Sequence, residues 1–140
     1  MASLIDHREK IREHLEEIDD AINQGIDKKP ITIGFHCSAC AIELLELYLH
    51  KTNKIPIGKI IKHSWFRRPK SDQKIEPLIE RKMPLSFPDK ELMYELIYSI
   101  EDDRNSLMYG SPSHERIKRV ILNFQKLREI ITPRIKDDIQ

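Results

Sequence analysis

Glu101-Asp102-Asp103-Arg104-Asn105-Ser106-Leu107-Met108-Tyr109-Gly110 brings a guanidinium, an amide and a phenol together within a few residues. Asn105 and Tyr109 lie four positions apart and share one face of a helix. With Arg104 beside them they can hold a phosphate and its ribose, because a guanidinium offers a planar fork of donors to phosphate oxygens. The same residues have a plainer use. Arg104 stands among acids and can pair with Glu101 or Asp103, as surface cations near a helix C-terminus commonly do.

A second candidate is the stretch KIIKHSWFRRPK over residues 59–70, where Lys62, Arg67 and Arg68 interleave with Trp65 and Phe66. Cations that meet phosphates, beside rings that stack on bases, are what single-stranded RNA requires of a binding surface. The competing use of the two rings is to anchor a long connection onto the core. His36, Cys37, Cys40 and His50 invite a metal assignment, but a structural zinc site takes four ligands in two pairs and no second pair follows at matching spacing. No metal and no cofactor are expected. Cys37 and Cys40 are expected to be reduced thiols packed as small apolar groups. The sequence carries no glycine-rich phosphate loop, serine-nucleophile motif or dinucleotide fingerprint.

The elements that must position these groups are helical. The chain has 140 residues, 39% hydrophobic and 34% charged, with 4 glycines, a balance that suits helices in one domain spanning 1–140. Leu4, Ile11, Leu15, Ile18 and Ile22 form an apolar stripe at helical spacing, ending near Gly25. After Lys28-Lys29-Pro30, a segment from about 31 to 53 is apolar around most of its circumference and reads as a central helix. Prolines 56, 69, 77 and 84 then punctuate a long crossover, with short helical pieces expected near 59–66 and 75–81. Pro88 opens a third long helix with Leu92, Leu96, Ile97, Ile100, Leu107 and Met108 near one face, and Ser111-Pro112 caps a fourth. The expected fold is an all-α, antiparallel up-and-down four-helix bundle, with the crossover between its second and third long helices.

Net charge is +1, but acids dominate residues 9–27 and bases residues 54–74, so local patches outweigh the total. No run approaches the ~18–20 uninterrupted apolar residues of a membrane span, and MASLIDHREK lacks a basic region followed by an apolar one. A cytoplasmic protein without a membrane partner is expected.

The first helix, the Gly34-Phe35-His36-Cys37-Ser38-Ala39-Cys40-Ala41-Ile42-Glu43-Leu44-Leu45 helix, and Arg104-Asn105 ahead of an aromatic residue and Gly110 together resemble HEPN domains (higher eukaryote and prokaryote nucleotide-binding) over nearly the whole chain. The resemblance implies a dimerising four-helix bundle in which an arginine, commonly followed by Asn, Asp or His, and a histidine four to six residues later line a cleft at the dimer interface. Active members cleave RNA without metal, often as the toxin of a toxin–antitoxin pair with a nucleotidyltransferase partner. Arg104 and Asn105 match the first part of that motif. Tyr109 stands where the histidine is expected, and the nearest histidine beyond it is His114, ten positions after Arg104. Tyrosine, with an ordinary pKa of about 10, is a poor proton carrier near neutrality, so His114 is the expected general base if the Gly110-Ser111-Pro112 turn folds it back towards Arg104. The residues leave three functions open: an RNA-directed protein that cuts or only binds; a nucleotide binder built on Arg104, Asn105 and Tyr109; and a non-catalytic homodimeric module that docks a nucleotidyltransferase or another protein.

Overall fold

The structure, a computed structural model, describes residues 3–139 and the side chains of residues 3–135. Ser3 starts helix α1 (Leu4–Gln24) with a reciprocal capping box: its hydroxyl accepts from the Asp6 N–H at 3.2 Å, and the Asp6 carboxylate accepts from the Ser3 N–H at 3.0 Å. Gly25, at a φ of 111°, ends the helix in backbone space that side-chain-bearing residues rarely adopt. Pro30 occupies the first turn of α2 (Pro30–Lys51), where its missing N–H costs nothing.

Helix α2 is the axis of the molecule and packs against α1, α4 and α5. Ile33, Cys37, Cys40, Ala41, Leu44, Leu45, Leu47 and Leu49 are all shut off from solvent. By length and composition α2 could cross a membrane; here most of its surface is covered by its neighbours. Cys37 and Cys40 are free thiols, and burial pushes Cys37 up to about 12 and Cys40 higher still, so both stay protonated and unreactive.

The crossover is less helical than its sequence suggested. It holds a 3₁₀ turn, His63–Trp65, and a five-residue helix α3 (Leu78–Lys82), the latter confined between Pro77 and Pro84. Ile61, Phe66, Ile79, Met83 and Phe87 are buried and pin it to the core. Phe66 stands edge-on to Tyr94 and Tyr98, with ring centroids 5.1 and 5.6 Å away.

Helix α4 (Lys90–Tyr109) begins two residues after Pro88, behind Asp89 in the left-handed region. Its buried stripe is Met93, Ile97, Ile100, Arg104 and Leu107, while Leu92, expected on that face, is exposed. The spacing of four, three, four and three places Arg104 where a core residue would sit. Helix α5 (His114–Ile139) starts from Ser113 rather than Ser111: the Ser113 hydroxyl accepts from the Arg116 N–H at 3.2 Å. Pro133 lies within α5, and Ile135 departs from helical geometry just beyond it.

The contacts run in opposite order along α1 and α2, along α2 and α4, and along α4 and α5. His7 meets Glu43 and His14 meets His36; Ser38 meets Glu101 and Gly34 meets Leu107; Asp103 meets Arg119 and Asp89 meets Arg134. The described residues are thus all helical or connecting, with α1, α2, α4 and α5 packed against one another and α3 lying in the crossover beside the 3₁₀ turn. Gly34 matters to this packing: a Cβ there would stand 3.3 Å from Leu107 Cδ1 and 3.7 Å from Arg104 Cα, so its lack of a side chain lets α4 approach α2 at the turn that carries Arg104.

Candidate phosphate-binding cleft

Arg104 is 8% exposed, and its hydrogen bond among the described residues runs from Nη1 to Asn105 Oδ1 at 3.0 Å. The pairing with Glu101 or Asp103 that the sequence allows does not form, because each acid of the triplet is engaged elsewhere. Glu101, buried, accepts from the Ser38 hydroxyl at 3.0 Å and faces His63 Nδ1 at 2.6 Å. Asp103, also buried, takes a two-pronged guanidinium contact from Arg119 at 2.6 and 2.7 Å, which holds Arg119 above its ordinary value. Asp102 meets Arg68 at 3.5 Å. Arg104 thus spends one donor on the Asn105 amide and has others left for an acceptor that enters the cleft.

A cleft of about 210 Å³ opens at this point, lined by Arg104, Asn105 and Tyr109 from α4 and by His63, Ser64 and Arg67 from the crossover, with Phe66, Glu101 and Asp102 completing the wall. The nucleotide-binding set read from the sequence is therefore brought together, and Arg67 joins it. The cleft has room for a phosphodiester and part of a sugar but not for a base as well. Tyr109, 78% exposed, stands beside it as a ring on which a base can stack.

The other basic and aromatic residues of the crossover are placed differently. Arg68 is tied to Glu95 at 2.9 Å and lies over the Tyr98 ring, and the neighbouring carboxylates raise it above its ordinary value. Trp65 is half-buried between Lys59 and Lys82, each 5.9 Å from its ring, and Phe66 is wholly buried, which removes it as a stacking surface. Lys62 is exposed next to the 3₁₀ turn and does not line the cleft.

His114 is not among the residues that line this cleft. Its Nδ1 lies 2.9 Å from Asp27 at the connection between α1 and α2, where an exposed first-turn histidine finds a carboxylate, and the 110–112 turn does not fold it back to Arg104. The histidine beside Arg104 is His63, which the order of the sequence hid because it comes 41 residues earlier. Its one signal was its position within the basic, aromatic stretch. The contact joins Nδ1 of His63 to Glu101, and an Nδ1–H donated to that carboxylate would leave the lone pair on Nε2. An imidazole oriented by a carboxylate can accept a proton from a hydroxyl, and a guanidinium in the same cleft can steady charge growing on a phosphate.

Compared with known protein families, characterised proteins and solved structures, the chain matches none of them.

Proposed function

We propose that the protein is an RNA-directed domain of the HEPN type, its α1, α2, α4 and α5 forming an up-and-down bundle, and that it binds single-stranded RNA at the Arg104 cleft and cleaves it without metal. The observation that carries this reading is Arg104 itself, buried and free of any acidic partner among the described residues, at the mouth of a cleft that also holds the His63–Glu101 pair. In the reaction His63 Nε2 takes the proton of the ribose 2′-hydroxyl. The 2′-oxygen then bonds to phosphorus as the bond to the 5′-oxygen breaks, the leaving oxygen takes a proton from water, and the hydroxide so formed takes back the proton held on His63. Arg104 meets the charge on the non-bridging oxygens, Glu101 holds the imidazolium, and the ends left are a 2′,3′-cyclic phosphate and a 5′-hydroxyl.

The test is cleavage of mixed single-stranded RNA in EDTA. Wild type should cut to cyclic-phosphate ends, His63→Gln and Arg104→Met should not, and His114→Ala should cut like wild type. A folded wild-type protein that leaves the RNA intact contradicts the nuclease reading, and loss of cutting on His114→Ala returns the general base to His114.

A second reading is favoured by a different surface. A groove of about 510 Å³ between the end of α1 and α5 has an apolar floor of Ile22, Ile26, Ile121 and half-exposed Leu122, rimmed by Glu115, Lys118, Arg119 and Gln125. Such a groove suits a non-catalytic module that pairs with its own copy or docks a nucleotidyltransferase-type partner. Under that reading Leu122→Glu shifts the mass in solution from dimer to monomer, and the protein does not cut RNA.

A further inference from the structure

Beneath the start of the crossover, on the side of α2 that faces α1, lies a polar cluster that the cleft does not use. His7 from α1 and Glu46 and His50 from α2 are all buried, at 1%, 4% and 4% exposure. One ligand atom from each lies within 4.8 Å of the others. The two imidazoles face each other with centroids 4.9 Å apart and planes 31° apart. His7 Nε2 has no hydrogen-bond partner among the described residues, and the ring nitrogens of His50 meet only loose approaches from backbone groups of Ile55 and Lys59. Imidazole nitrogens so poorly met beside a buried carboxyl are uncommon, because buried polar atoms are nearly always hydrogen-bonded.

From this geometry we infer that His7, Glu46 and His50 form a binding site for a divalent transition-metal ion of the zinc class. Two borderline imidazoles with one carboxylate make a ligand set that zinc takes. Glu46 and His50 are four residues apart and therefore project from the same face of α2, and His7 completes the triangle from the opposing helix. The second sphere is also in place. His7 Nδ1 lies 2.6 Å from Glu43 Oε2, so the carboxylate fixes the tautomer that leaves Nε2 free for the ion, as carboxylates do behind metal-binding histidines. Tetrahedral bonds of ~2.1 Å place ligand atoms ~3.4 Å apart, so no pair of ligand atoms has to close by more than ~1.4 Å on binding. A surface hollow lined by His7, Glu43, Glu46, Lys10 and Ile60 supplies the entry path and the water for the remaining position. The bound ion clamps α1 to α2 under Ile60 and leaves the Arg104 cleft chemically separate, so the site stands whether or not the protein acts on RNA.

The experiment uses the full chain, stripped with chelator and dialysed, and titrated with Co²⁺ while visible absorption is recorded, then with Zn²⁺. One equivalent of cobalt should bind with a ligand-field band that zinc abolishes, and zinc at a hundred times its Kd should raise the melting temperature by roughly 8 °C. His50→Gln and Glu46→Gln, with helicity checked by circular dichroism, should each weaken cobalt binding at least tenfold. His14→Gln, which alters the separate His14–His36 contact, should leave it unchanged. Absence of saturable one-to-one binding to the wild type overturns the inference without recourse to any variant, and so does binding that survives His50→Gln or vanishes in His14→Gln.

Discussion

The Arg104 cleft and the His7–Glu46–His50 cluster break the same rule with opposite sign. Each places polar side chains where a core stripe calls for apolar ones: Arg104 between Ile100 and Leu107 on α4, and His7 between Leu4 and Ile11 on α1. At Arg104 the surrounding acids are drawn off by Ser38, His63, Arg68 and Arg119, leaving positive charge to be met. At His7 and His50 the uncompensated groups are ring nitrogens, leaving lone pairs to be met. Two buried polar sites in one small fold thus differ less in burial than in how their neighbours are paired, and that pairing sets the charge of the ligand each one favours.

The sharpest way to separate the two is to disable the proton carrier of one and leave the other alone. His63→Gln should slow RNA cleavage by ~10²–10⁴-fold with RNA affinity within about twofold of wild type, read by single-turnover kinetics and fluorescence anisotropy; an equal loss of affinity would make His63 a binding group instead. Arg104→Met should leave the melting temperature within about two degrees of wild type, since Arg104 forms no ion pair among the described residues and its hydrogen bond runs only to the adjacent Asn105. A fall of several degrees in calorimetry would show Arg104 to be structural. Arg67→Ala, at the solvent-facing edge of the cleft, should weaken binding a few-fold and lower the slope of log affinity against log salt by about one, whereas Arg68→Ala, whose guanidinium is already paired, should change that slope less.

The smallest effect is expected at His14. Burial, and after it the facing His36, hold its imidazole below the ordinary 6.5, with Glu43 and Glu13 opposing and Lys10 adding to the depression. The unfolded chain therefore binds this proton more readily, so the stability contributed by neutral His14 is present above pH 6.5 and falls as pH drops through the folded value. The loss of melting temperature between pH 7 and pH 5 should be smaller in His14→Gln by about a degree or two, and an unchanged loss would remove His14 from the acid response.

The helices were legible because their stripes are long: α1 ends at the glycine and α2 starts at the proline that mark them in sequence. The crossover was legible only as a connection, since Phe66 and Ile79 are held by contacts distant in sequence rather than by periodicity. Arg104, Asn105 and Tyr109 were found because they are neighbours along one helix. His63 was missed because its proximity to Arg104 arises when the crossover folds back over α4, and His114, the candidate near Arg104 in sequence, is turned to Asp27 by the cap at Ser113. The His7–His50 contact was invisible for the same reason, although the seven-residue gap between Leu4 and Ile11 marked the place where a stripe position was filled by something other than an apolar side chain.

The most direct test of the cleft is the affinity of a labelled single-stranded RNA for the wild type and for Arg104→Met in EDTA at low salt, both shown to be folded. Loss of roughly ten- to a hundredfold in affinity on that one substitution is the expected result, the size of a charge-assisted phosphate contact removed. Equal affinities, or no binding by the wild type, would contradict the assignment of Arg104 as the phosphate-binding group.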